Sequence, residues 1–170
     1  YGLYFPVVIC NNCGLVQTNP RMNQNSYNEF YQFEYRKLYG GSGVPTDRFF
    51  QSQYQKGGNI YKFIKSLGLL KNPKEMFVLE VGCGAGGILK YFRDKGCSIK
   101  GIDLGQKYLD YGIKKYNLDL EMGTLDSVDI LKKPNLIIYA DVLEHILNPE
   151  KELSKIHNLL ANKGMFYIGL

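Results

Sequence analysis

The stretch Val78-Leu79-Glu80-Val81-Gly82-Cys83-Gly84-Ala85-Gly86-Gly87 decides how the rest of this chain is read. An apolar, β-branched run closes on an acid, passes through alternating glycines and enters a helical pattern at Ile88-Leu89 that continues to Tyr91-Phe92. A strand, a tight turn and a helix are the expected elements. Glycines belong in such a turn because its backbone angles oppose a side chain and because a ligand must approach bare main chain. The helix N-terminus that follows adds free N–H groups and a positive dipole end. The stretch is therefore expected to form a nucleotide-type site.

Two ligand classes fit the glycines. Gly82, Gly84 and Gly87 satisfy the dinucleotide spacing G-x-G-x-x-G, while Glu80, Gly82, Gly84 and Gly86 satisfy acid-x-G-x-G-x-G. Glu80 separates them, because a carboxylate at the end of the strand repels a pyrophosphate placed close by. It suits a ligand with a cationic amino-acid group and no phosphate, a character that S-adenosylmethionine has. The stretch resembles motif I of the class I methyltransferases. That resemblance implies that Glu80, Gly82, Cys83, Gly84 and Gly86 border S-adenosylmethionine.

Around this motif the chain alternates. Expected strands cover 76–81, 98–102, 120–122, 135–139 and 165–168, with helices over 87–95, 106–116 and 150–160. Such alternation implies an α/β, doubly wound, Rossmann-like parallel sheet with helices on both faces. The class I resemblance gives it the strand order 3-2-1-4-5. Upstream, Ile60, Phe63, Ile64 and Leu67 mark one face of a helix that ends near Gly68 and is expected to pack beside the first core strand.

Ligands of such sheets bind at the carboxyl ends of the strands. Asp103 closes the second strand about 20 positions after Gly82, a spacing that suits an acid accepting hydrogen bonds from ribose hydroxyls in either ligand class. The resemblance makes Asp103 the ribose ligand and packs Leu104 on the adenine. It also sets Gly123-Thr124-Leu125-Asp126 at the adenine edge, with Thr124 and Leu125 as contacts. By residue type alone, Thr124 and Asp126 read equally well as turn or cap residues.

The fourth strand leads into Tyr139-Ala140-Asp141-Val142-Leu143-Glu144-His145-Ile146, and Asn148-Pro149 opens the next helix. This V-L-E-H segment followed by N-P resembles the post-strand motif of methyltransferases that act on small molecules and quinone precursors. The resemblance implies that Ala140 and Asp141 line the methionine end of the cofactor and that His145 faces the acceptor. An imidazole titrates near neutral pH and would serve there as a general base. The other reading is structural, with His145 hydrogen-bonded under the helix start and Glu144 its partner or a solvent-facing charge. Leu159-Leu160-Ala161-Asn162-Lys163-Gly164 resembles the family's turn into the fifth strand, with Lys163 where a first glycine is usual.

The N-terminal segment has a different texture. Cys10-Asn11-Asn12-Cys13-Gly14 follows the strand-like run Phe5-Pro6-Val7-Val8-Ile9, and Gly14 lets the chain turn so that both thiolates face one ion. Zinc sites of this type need four ligands, and Cys10 and Cys13 supply two. Cys83 and Cys97 sit in the core pattern, and His145 and His157 belong to the later fold. A truncated zinc knuckle, whose zinc is held only in a longer protein, and a pair of free thiols are the two readings. The run from Cys13 to Arg21 resembles the appendage of bacterial methyltransferases in which such a segment ends a zinc ribbon. Tyr27, Phe30, Tyr31, Phe33, Tyr35 and Tyr39 then alternate with Glu29, Glu34, Arg36 and Lys37. This segment reads as a helical lid over the cofactor cleft or as an arm that merely packs on the core. Gly40-Gly41-Ser42-Gly43-Val44-Pro45 reads as a linker.

At 170 residues, 45% hydrophobic and 22% charged, the chain fits one domain with a small appendage. The expected division is a partial zinc-knuckle-like segment at 1–21, an aromatic-rich arm and linker at 22–52, and a cofactor-binding core at 53–170. A formal net charge of +5 favours acidic substrates such as phosphorylated or nucleotide-linked ones, or else reflects a solvated lysine-rich surface. No basic cluster interleaved with aromatics marks a nucleic-acid groove. No run has the length of a membrane span and no signal pattern opens the chain, so a cytoplasmic protein with reduced cysteines is expected.

In the family this fold continues through two more strands after Gly169-Leu170. The chain is accordingly expected to be part of a longer protein, cut at both ends, with an open fifth strand as a surface for self-association. The expected function is methyl transfer from S-adenosylmethionine to a small acceptor, with sugars, surface-glycan precursors and secondary-metabolite precursors as the favoured acceptors. A non-catalytic cofactor-binding or assembly module is the alternative. An NAD-linked oxidoreductase is disfavoured by Glu80 and by the V-L-E-H segment.

Overall fold

A computed structural model of the chain describes residues 6–40, 43–70 and 72–170. Phe5, Gly41 and Ser42, and the side chains of Arg36 and Tyr39, lie outside the described residues. Two short strands, β1 (Val7–Ile9) and β2 (Val16–Thr18), form an antiparallel hairpin with Cys10 and Cys13 at its turn. A helical arm follows, made of α1 (Gln24–Glu29), a π-helical turn at Phe30–Glu34 and α2 (Tyr35–Gly40). The core runs α3 (Asp47–Ser66), β3 (Phe77–Val81), α4 (Gly87–Asp94), β4 (Ser98–Asp103), α5 (Gln106–Tyr116) and β5 (Leu120–Met122). It closes with β6 (Leu136–Ala140), α6 (Pro149–Leu159) and β7 (Met165–Gly169).

All five residues of β3 are buried, as an apolar run must be when a parallel strand is covered on both faces. Its parallel neighbours are β4 and β6, and the spatial order is β5-β4-β3-β6-β7. Counted from β3, this is the expected 3-2-1-4-5 order. Side chains alternate across the sheet. Val78, Leu136 and Ile138 join Leu89, Phe92 and Leu109 on one face, while Leu79, Ile137 and Tyr139 join Ile102 and Ile156 on the other. The five strands of the sheet and helices α4, α5 and α6 lie within one residue of their expected bounds.

The upstream helix departs from expectation in two ways. It begins at Asp47, inside the stretch read as arm and linker, because the Thr46 hydroxyl accepts the Phe49 N–H at 3.1 Å and Asp47 opposes the positive dipole end. Its buried face is Phe50, Gly57, Gly58, Ile60, Tyr61 and Ile64, whereas Phe63 and Leu67 are exposed. It packs closely on α4, and its Ile60, Tyr61 and Ile64 share one buried cluster with Val78 of β3. A Cβ on Gly57 would stand 2.7 Å from the Ile88 carbonyl oxygen, so only glycine permits this crossing. Each interior glycine costs about 1 kcal/mol of helix propensity, which the close packing offsets.

The turn into β7 forms with Lys163 at φ +59°, left-handed backbone that a glycine would adopt more readily. Among the described residues, no helix is long and apolar enough to cross a membrane.

Candidate active site

Three left-handed glycines shape the turn after β3: Gly82 at φ +71°, Gly84 at +54° and Gly86 at +76°. A Cβ on Gly82 would lie 2.5 Å from Val142 Cγ2, which leaves its main chain bare by necessity. The Gly82 and Cys83 N–H groups donate to the Ile102 carbonyl at 2.8 and 3.1 Å, tying the turn to β4. The next residue of β4, Asp103, completes the tie. Its Oδ2 accepts the Gly84 N–H and its Oδ1 the Gly105 N–H, both at 2.7 Å. A carboxylate offers about four lone-pair positions, so an acid held in this way can still accept ligand hydroxyls.

Glu80 is 2% exposed, and its Oε2 has no hydrogen-bond partner. Burial pushes its carboxyl well above the usual range and the Asp103 charge adds to this, while Lys56 and the Leu89 main chain oppose it. An orphaned polar atom inside a protein costs free energy unless a donor reaches it. A ligand group that donates a hydrogen bond to Oε2 would offset that cost.

Glu80 and Asp103 open into a cavity of about 310 Å³ at the carboxyl ends of the strands. Of the residues expected at the cofactor, Glu80, Gly82, Cys83, Gly84, Asp103, Leu104, Thr124, Leu125, Ala140 and Asp141 all line it, as does His145. Gly86 stands apart. It caps α4, its N–H donates to the Cys83 carbonyl, and a Cβ there would meet Leu118 Cδ1 at 2.8 Å, so its part is to shape the turn. Thr124 combines a cleft position with turn chemistry: its N–H donates to Ser127 Oγ at 2.9 Å and its Oγ1 accepts the Asp126 N–H at 3.3 Å. Asp141 has φ +58°, and its Oδ2 accepts from Lys56 Nζ at 2.6 Å.

His145 lies on a single 3₁₀ turn, Leu143–His145, with its ring centroid 5.3 Å from that of Tyr31 and Nε2 3.9 Å from Glu144 Oε1. The start of α6 is capped instead by the Asn148 side chain, which accepts the Lys151 N–H at 3.0 Å. His145 is therefore a half-exposed wall of the cleft and no buried support for the helix.

The aromatic arm lies over the cleft. Tyr27, Tyr31 and Tyr35 line it with Gln24 and Asn28, and adjacent rings of this set stand 5.3 and 4.8 Å apart. The lid reading and the packing reading thus describe the same contacts. Sequence reasoning missed Phe49 and Gln53 of α3, which also line the cavity, and Lys56 beside Asp141. Thr46-Asp47 is a legible N-cap that would have brought α3 forward to them.

Cys10 and Cys13 sit on the hairpin, apart from this lining. Hydrogen bonds from the Cys13 and Asn12 backbone hold the Cys10 thiol below its usual value, with a further contribution from the Cys13 side chain. Among the described residues, no group of three or more His, Cys, Asp or Glu is placed to hold a metal ion.

A methyltransferase-domain family matches residues 50–169, well over half of the chain. The chain belongs to that family. This methyltransferase-domain chain is 24% identical over 115 residues to the ubiquinone biosynthesis O-methyltransferase of Pelagibacter ubique, an alignment covering 65% of this chain and 48% of that protein. It spans less than half the length of the curated relatives it matches. Its fold is similar to that of magnesium protoporphyrin IX methyltransferase from Synechocystis, solved with bound S-adenosylhomocysteine, at TM-score 0.60 and 16% identity over 81% of this chain and 68% of the other. It is also similar to an amino pentose methyltransferase from Micromonospora echinaspora, solved with S-adenosylmethionine, at TM-score 0.57 and 16% identity over 79% and 54% of the two chains. Those likenesses establish a methyltransferase-type Rossmann-like sheet.

Proposed function

We propose that this chain holds S-adenosylmethionine in the cleft after β3 and takes part in methyl transfer to a small acceptor. The observation that carries the reading is the buried, unpartnered Oε2 of Glu80, which a cationic amino-acid group would satisfy and a pyrophosphate would not. The residues fit such a cofactor along its whole length. Asp103 accepts from the ribose hydroxyls, and the bare main chain of Gly82 and Gly84 allows close approach. Leu104, Thr124 and Leu125 border the adenine, while Glu80, Ala140 and Asp141 face the methionine end.

When bound, S-adenosylmethionine supplies an electrophilic methyl on a positively charged sulfur. The chain's own work is to orient the acceptor in line with that methyl, to exclude water and to take up the acceptor's proton. The arm closes the outer side with Tyr27, Tyr31 and Tyr35. His145, among these rings, accepts the proton when the acceptor is a hydroxyl or an amine.

Sugars and glycan or secondary-metabolite precursors are the acceptor class we favour, supported by the ring-lined, hydrogen-bonding outer wall. The fold similarity to an amino pentose methyltransferase is in keeping with it. Cys10 and Cys13 are proposed to supply two of the four ligands of a zinc site in the full-length protein, supported by the main-chain N–H bonds that stabilise the Cys10 thiolate. Elemental analysis of the full-length protein checks this: one zinc per chain, lost in Cys10→Ser, is expected.

Calorimetric titration of the full-length protein with S-adenosylhomocysteine, alongside NAD, tests the main reading. Binding of the first alone, weakened about 100-fold or more in Asp103→Ala, is expected. Binding of NAD alone, or of neither ligand, would overturn it.

A further inference from the structure

The loop that follows β5 borders the cleft through Gly123, Thr124 and Leu125, and Leu125 and Val128 pack it on the sheet face of Leu79 and Ile102. Strand β5 is three residues long and lies at the sheet edge, and the Gly123 N–H to the Asp103 carbonyl, at 3.0 Å, ties the loop to its neighbour. A second tie comes from the opposite side. Lys155 on α6 donates to Asp126 Oδ2 at 2.6 Å and to Glu152 Oε2 at 3.1 Å. Glu152 is buried and itself borders the cleft, and its Oε1 accepts the hydroxyl of Tyr139 at 2.6 Å. Tyr139 is fully buried in β6 and meets the Phe166 ring edge-on at 5.3 Å.

We infer that Lys155 is a positioning residue for the adenosine end of the cofactor, an inference that rests on the methyltransferase reading above. Its ammonium lies between two carboxylates on different elements that repel each other without it. One carboxylate is on the loop; the other is fastened through Tyr139 to the middle of the sheet. The chain Asp126–Lys155–Glu152–Tyr139 thus fixes the distance from the loop to β6, and with it the width of the adenine slot. Charge matters here beyond packing, because a methylene stem alone fills the same space and joins nothing.

The electrostatics agree with the geometry. Burial would lower the Lys155 ammonium, but its bonds to Asp126 and Glu152 outweigh this and raise it. The same bond from Lys155 holds Asp126 below the usual carboxylate range. Burial and the Glu152 bond push the Tyr139 hydroxyl far up, so it acts as a donor at any working pH.

The test compares Lys155→Met, which keeps the stem, with Lys155→Arg, which keeps the charge, by titrating S-adenosylhomocysteine into the full-length protein and measuring Tm for each variant. We expect Kd to rise about tenfold in Lys155→Met and to stay within about threefold of wild type in Lys155→Arg. Asp126→Asn should weaken binding similarly, and the double variant with Lys155→Met should add nothing further. Unchanged affinity in Lys155→Met, whether or not Tm falls, would overturn the inference, as would equal losses in Met and Arg or additive losses in the double variant. If wild type itself fails to bind, the methyltransferase reading fails first; if wild type binds and Lys155→Met matches it, only the positioning role fails.

Discussion

The two walls of the cleft are built by different physics. The inner wall, from Glu80 to Asp103 and Gly84, is made of directed bonds to main chain at 2.7–3.1 Å around a buried acid. The outer wall, from Tyr27 to Tyr35 and His145, is made of ring contacts at about 5 Å on a half-exposed arm. Directed bonds fix a ligand's orientation and tolerate little change, whereas ring contacts are adaptable and weakly directional. A wall of the first kind suits a cofactor that never varies. One of the second kind suits an acceptor that differs from enzyme to enzyme.

Substitutions on the two walls should therefore fail in different ways. Asp103→Ala removes the ribose acceptor and the anchor of both turns, so affinity for S-adenosylhomocysteine should fall by about 100-fold or more, read by calorimetry. Gly82→Ala places a Cβ against Val142 at a left-handed position and should cost about 2 kcal/mol in thermal unfolding. Adding Val142→Ala should recover only the steric part. If Gly82→Ala proves neutral, the inner wall is softer than its geometry indicates.

Glu80→Gln separates stability from binding. Between the unfolded carboxyl's value of about 4.3 and the raised native value, the folded chain keeps a proton that the unfolded chain has released. Stability without ligand should accordingly fall as pH rises through that window, and the full penalty persists above it. The amide variant should lose this slope, gain about 1 kcal/mol at neutral pH and bind S-adenosylhomocysteine about tenfold more weakly. A wild-type stability that rises across the same pH window would contradict this. The smallest effect is expected at the outer wall. Tyr31→Ala should lower stability by about 1 kcal/mol or less and change cofactor affinity by less than about threefold, while acceptor turnover drops. A large loss of cofactor affinity there would erase the distinction between the walls.

Legibility in the sequence followed the same division. The strands were readable because buried parallel strands are short apolar runs with glycine or acid at their ends, and the inner-wall residues cluster where those runs stop. Gly86 was the exception, since spacing does not distinguish a glycine that admits a ligand from one that makes room for Leu118. On the outer side, Tyr27 and Tyr31 stood out as aromatics, but their facing depends on the π-helical turn at Phe30–Glu34, which shifts the helical phase and has no sequence signal. The start of α3 was missed because the apolar face of the helix stands out from Ile60 onward, while its first turns pack through Phe50 and the small Gly57 and Gly58, which leave a weak apolar pattern.

The contact of Gly57 and Gly58 with α4 also bears on how such a chain changes over evolutionary time. Gly57 meets the Ile88 main chain with no space for even a methyl group, and Gly58 lies close against the Tyr91 ring. Any lineage that enlarges position 57 must push α4 outward, and α4 begins at the glycine turn that borders the cleft. Position 57 is thus held to glycine by main chain that no substitution at 88 removes, whereas drift at 58 is coupled to the ring at 91, and a family alignment should show 58 and 91 changing together. Leu67, exposed at the end of the same helix, is under no such constraint and should vary independently.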